Sequence, residues 1–169
     1  ERIATPYLPA TLAIKKRHFP MVKDSDTKME SWRKIADEIK DDVQQGNNVG
    51  FLTLGDPSVY STFSYLADIL IPVIDVQTIA GISSFSQIAA SLSIPLMLDE
   101  ESLEVVPATA DKEKLAKVID LNDNVVIMKI ATNFKKVYQI LKERKLLDKT
   151  VIVENASMAN QRVQRLTEY

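Results

Sequence analysis

The chain has 169 residues, 46% of them hydrophobic and 26% charged, enough for one sizeable core or two small ones. A net charge of −2 argues against a nucleic-acid partner, and the lack of cysteine excludes disulfides and thiolate metal sites. Apolar runs such as Ile69–Ile74, broken by Pro72, fall far short of the roughly 18 residues a membrane span needs, and ERIATPYLPA does not read as a signal peptide, so a cytoplasmic protein with no membrane partner is expected.

In chain order, Thr11–Phe19 is mixed and basic and reads as an edge strand. Asp24–Lys28 reads as a polar turn, with Asp26 or Thr27 as N-cap of the next helix. From Met29 to Gln45 the apolar residues Trp32, Ile35, Ala36, Ile39 and Val43 recur at helical spacing, and Gly46 is placed to end the helix. Asn48–Leu54 then reads as a buried strand, Val59–Leu70 as a helix, Val73–Ile79 as a strand and Ser84–Leu92 as a helix. After a linker at Ser93–Asp99, strands are expected at Leu103–Val106, Asn124–Ile130 and Thr150–Glu154. Helices are expected at Asp111–Val118 and Phe134–Arg144, and Gln161–Thr167 alternates like one more strand. This order predicts an α/β protein with mostly parallel sheets, divided into a domain at 1–95 and a second at 96–169.

Two strand-to-helix turns stand out. In Gly55-Asp56-Pro57, glycine tolerates a sharp exit from a strand and aspartate is a favoured N-cap. Proline is preset for a first helical position. The second turn, Gly81-Ile82-Ser83-Ser84, offers another glycine and two hydroxyl caps. Helix capping alone accounts for either turn. In open α/β sheets, however, ligands bind beyond the carboxyl ends of the strands, where such turns lie, and amides at a helix start suit a ligand carboxylate.

The string LTLGDPSVYSTFSYL at 52–66 and IAGISSFS at 79–86 resemble the tetrapyrrole (corrin/porphyrin) methylases, most closely their C20-methyltransferases of vitamin B12 synthesis. Ala80 stands where the family has proline. FPM at 19–21, SIPL at 93–96, VVIMKI at 125–130 and ENASMANQR at 154–162 follow in the family's order. The resemblance implies two α/β domains with the active site in the cleft between them, and a homodimer. It implies S-adenosylmethionine as methyl donor and a tetrapyrrole substrate, precorrin-2 or cobalt-precorrin-2, methylated at C20. Carried over position by position, Leu54, Gly55, Asp56, Val59, Ser83, Ser84, Met128 and Ala156 would line the donor pocket. No protein-held metal is expected, and no catalytic residue is assigned. Asp56 is the one motif carboxylate that qualifies as a base, and its reading as a cap is the stronger. The family's glycine-rich N-terminal loop is not seen ahead of Glu1, and the chain stops within an alternating segment, so it reads as a piece of a longer protein.

A substrate rich in carboxylates calls for cations, for which Lys15, Lys16 and Arg17 form one cluster and Arg162 and Arg165 another. Such clusters are more often solvated surface. Tyr60, Ser61, Thr62 and Tyr65 would face the substrate or merely pack, Met128 is equally a core residue, and the sole histidine, His18, reads as surface or packing. Other readings are a sister methylase acting at another ring carbon, a non-catalytic tetrapyrrole- or nucleoside-binding module, and an α/β interaction domain with no ligand.

Overall fold

A computed structural model describes residues 3–19 and 25–169. Pro20 and Met21 of the FPM string, and Asp24 of the expected polar turn, lie outside the described residues. The chain folds as two compact units, Glu1–Gly81 and Ile82–Tyr169.

The first unit is built on two helices, α1 (Ser25–Gln44) and α2 (Phe63–Leu70). The helical spacing of Trp32, Ile35, Ala36 and Ile39 puts one apolar stripe on α1, and it closes on Leu66 and Leu70 of α2. Phe51 and Phe63 pack alongside, with ring centroids 5.4 Å apart. Helix α1 ends as its sequence demands. Gly46 takes φ +86°, its amide bonds the Val43 carbonyl at 2.9 Å, and the Asn47 amide reaches back to Asp42 at 3.1 Å, the paired bonds of a Schellman stop. At the other end α1 starts at Ser25, so Asp26 and Thr27 lie inside its first turn and do not cap it.

Three expected strands are absent. Residues 11–19, 48–54 and 73–79 carry no strand ladder. A strand exists by pairing its amides and carbonyls with a neighbour, and among the described residues none of these segments has a ladder partner. Asn48–Leu54 is not buried either: Leu52 is 62% and Leu54 74% exposed. The 11–19 segment is tied to α1 by ion pairs, Lys15 to Asp42 at 2.6 Å and Arg17 to Glu38 at 2.5 Å. Helix α2 begins at Phe63 and not at Val59, because Tyr60 sits in the left-handed region at φ 49°, which no helix continues.

The second unit follows its sequence more closely. Helix α3 spans Ser84–Leu92, as the residues predict, and stops where Ser93 turns left-handed. Strands β1 (Leu103–Pro107) and β2 (Asn124–Met128) pair in parallel, Leu103 opposite Asn124 and Pro107 opposite Met128. Helix α4 (Lys112–Leu121) makes the crossover, with Asp111 as its N-cap accepting from the Lys114 amide at 2.7 Å. Helix α5 (Phe134–Glu143) completes the layer, and Val106, Leu115, Val137, Ile140 and Leu141 form the core. Strands β3 (Val151–Glu154) and β4 (Arg162–Arg165) make an antiparallel pair, Val151 opposite Arg165 and Glu154 opposite Arg162. Ile152 points into the core, whereas β4 is exposed along its length.

Candidate functional site

The Gly55 and Gly81 turns meet within the first unit. Gly55 takes φ +76°, a conformation that glycine adopts without a Cβ clash. At Gly81 the constraint is space. A Cβ there would lie 2.1 Å from the Gly55 carbonyl oxygen and 3.2 Å from the Asp56 Cα, so the two backbones are in direct contact.

Asp56 holds them together. Its Oδ1 accepts from the Ser58 amide at 2.8 Å and from the Ser58 hydroxyl, while Oδ2 accepts from the Gly81 amide at 3.0 Å. The Ser58 hydroxyl first, then the Ser58 amide, and to a smaller extent the Gly81 amide, hold this carboxyl below the ordinary aspartate value. Asp56 is therefore not an N-cap. The nearest helix, α2, begins at Phe63, where the amide bonds Ser61 Oγ at 3.2 Å. Sequence reasoning passed over Ser58, although a hydroxyl two residues beyond an aspartate is a known local turn signal. The Gly81 amide, satisfied by Asp56, is not open to a ligand carboxylate.

Leu54 projects beside this junction, and Val59 is half-buried after Pro57, which is buried. A groove of about 1140 Å³ in the same unit is walled by Lys15, Arg17, Leu52, Leu54, Tyr60 and Ser61. Tyr65, by contrast, is occupied in packing: it stacks on Trp32 with centroids 4.2 Å apart and rings 7° from parallel. Lys15 and Arg17 reach the groove wall already paired with α1 carboxylates, and His18 is exposed.

Ser83, Ser84, Met128 and Ala156 belong to the second unit. Ser83 is the N-cap residue of α3, but its hydroxyl makes no capping bond, contrary to the expectation from the sequence. Met128 closes β2 half-buried, its carbonyl accepting from the Ala108 amide at 2.7 Å. Ala156 sits in a turn between two left-handed residues, Asn155 at φ 50° and Ser157 at φ 65°. Gln161 Oε1 braces that turn by accepting from the Ser157 amide at 2.6 Å. Arg165 donates to the Asp148 carbonyl at 2.7 Å. Among the described residues no three His, Cys, Asp or Glu side chains gather as a metal site, and no helix is long and apolar enough to cross a membrane.

A family model described as Tetrapyrrole (Corrin/Porphyrin) Methylases matches residues 1–169. The chain is 29% identical over 163 residues to a cobalt-precorrin-2 C(20)-methyltransferase of Salmonella typhimurium, covering 96% of this chain and 69% of that one. It is 35% identical over 127 residues to a probable cobalt-precorrin-2 C(20)-methyltransferase of Methanocaldococcus jannaschii, covering 75% of this chain and 52% of the relative. Its fold is similar to the X-ray structure of a cobalamin biosynthetic enzyme, cobalt precorrin-4 methyltransferase, with a TM-score of 0.70 at 17% identity. That similarity covers 81% of this chain and 62% of the other.

Proposed function

Because the chain belongs to the tetrapyrrole methylase family, we propose that it serves methyl transfer from S-adenosylmethionine to C20 of precorrin-2 or cobalt-precorrin-2 in cobalamin biosynthesis. The observation that carries this reading is the locked contact of the Gly55 and Gly81 turns, with Leu54 left exposed beside it. An apolar residue exposed next to rigid backbone suits the face of an adenosyl group. In this reading Leu54, Gly55, Asp56 and Val59 shape one wall of the donor pocket, and Ser83, Ser84, Met128 and Ala156 supply the rest. In this reading the protein works as a cytoplasmic homodimer.

S-adenosylmethionine supplies an electrophilic methyl group on a sulfonium. Once bound, it would offer that methyl in line to the ring carbon; the methyl–sulfur bonding pair would leave with S-adenosylhomocysteine and the meso proton would pass to water. No protein nucleophile is required. The work of the chain is to align donor and acceptor and to exclude water. The groove wall at Lys15–Arg17 fits a ring edged with carboxylates. The two ion pairs there are solvent-exposed, and exposed pairs are worth about 0–1 kcal/mol, so exchanging a protein carboxylate for a substrate one costs little.

The reading is tested by titrating the chain with S-adenosylhomocysteine in a calorimeter. Saturable binding, weakened by substitutions at Leu54 and Met128, is the expected result. Absence of heat with a folded chain would leave the interaction-domain reading in its place.

A further inference from the structure

We infer that Asp56 is a positioning residue: its carboxylate staples the Gly55 turn to the Gly81 turn, and so sets the shape of the pocket that the proposed methyl donor enters. The inference rests on the S-adenosylmethionine reading of this site and gives one of its residues a definite task.

Three observations carry it. Both carboxylate oxygens are engaged inside the protein, Oδ1 by Ser58 and Oδ2 by the Gly81 amide 25 residues away. The Gly55 carbonyl lies against Gly81 Cα with no room for a methyl group, so the two turns are in direct backbone contact. Helix α2 starts only at Phe63, so the loop from Pro57 to Thr62, which includes Val59 and the left-handed Tyr60, is not held by a helical ladder. Through its bonds to Ser58 and to the Gly81 amide, Asp56 ties the start of this loop to the Gly81 turn.

The same bonds argue against Asp56 as the acceptor of the meso proton. A base needs a free lone pair directed at the substrate, and three of the roughly four acceptor sites of this carboxylate are taken by Ser58 and Gly81. Its lowered pKa makes it a weaker base still.

Asparagine at this position keeps the shape and one acceptor but presents an NH₂ where a second donor already sits. Alanine removes every bond. The test uses the intact chain with Asp56→Asn, Asp56→Ala and Ser58→Ala, each checked for folding by amide exchange in α1 and α5. Gly81 is an exposed residue whose amide donates to Asp56, so its exchange reports on the staple. We expect at least tenfold faster Gly81 exchange in Asp56→Ala, an intermediate effect in Asp56→Asn, and near wild-type exchange in Ser58→Ala. S-adenosylhomocysteine affinity should fall tenfold or more in Asp56→Ala, and in turnover the KM for the donor should rise more than kcat falls. Unchanged Gly81 exchange in Asp56→Ala overturns the staple, whatever the binding result. Loss of kcat in Asp56→Asn with donor KM and Gly81 exchange unchanged would make Asp56 a base and overturn it too. Faster exchange in a chain whose wild type takes up no S-adenosylhomocysteine refutes the donor reading and leaves the staple a purely structural feature.

Discussion

At Gly81 the obstacle to any side chain is backbone, which cannot swing aside as a flexible side chain would. Gly81→Ala should therefore push the Gly55 turn away and cost about 1–3 kcal/mol, the usual range for forced overpacking. Chemical denaturation measures the loss, and S-adenosylhomocysteine affinity should fall with it. Gly55→Ala meets a different penalty, about 1–2 kcal/mol for holding a Cβ at φ +76°. The staple also has a definite pH dependence. The Asp56 pKa is lower in the folded chain than in the unfolded one, so its contribution is complete above the ordinary aspartate value and is lost as pH falls through the lower folded value. Gly81 exchange, corrected for its intrinsic pH dependence, should thus show constant protection from about pH 5 upward, with loss confined to below about pH 4. A protection midpoint near neutrality would mean that some other group controls the contact.

Among the elements, those set by local spacing were legible in the residues. The stripe Trp32-Ile35-Ala36-Ile39 marked α1, Gly46 marked its end, and Asp111 marked the start of α4. The strands expected at 48–54 and 73–79 did not form, because a ladder partner is a non-local fact that an apolar run does not carry. Gly-Asp-Pro misled for a related reason. A cap and a staple ask for the same short carboxylate after glycine, and what separates them is a partner 25 residues on. The family and the α/β class were readable from whole motifs, because their order along the chain adds information that no single turn holds. At this scale Asp111→Ala should destabilise the second unit by about 1 kcal/mol through the lost Lys114 cap, seen as a lower thermal midpoint and faster exchange in the first turn of α4.

For the whole molecule, each unit has a core of its own, around Leu66 in one and Leu115 in the other, both with no exposed surface. Leu115→Ala should cost about 2–5 kcal/mol and speed exchange across α4 and α5. Leu66→Ala should act on α1 and α2 instead. Hydrogen exchange by fragment distinguishes the two patterns, and equal loosening of all four helices by either substitution would contradict separate cores. The chain spans 69% and 52% of the lengths of the two methyltransferases it matches, so the activity of the whole protein is approached through the chemistry of the product. That chemistry is read most directly by supplying precorrin-2, with and without cobalt, together with S-adenosylmethionine carrying an isotopically labelled methyl group, and locating the label by NMR. The account predicts one labelled methyl on the C20 meso carbon. Label on any other ring carbon, or none despite bound donor, would contradict it.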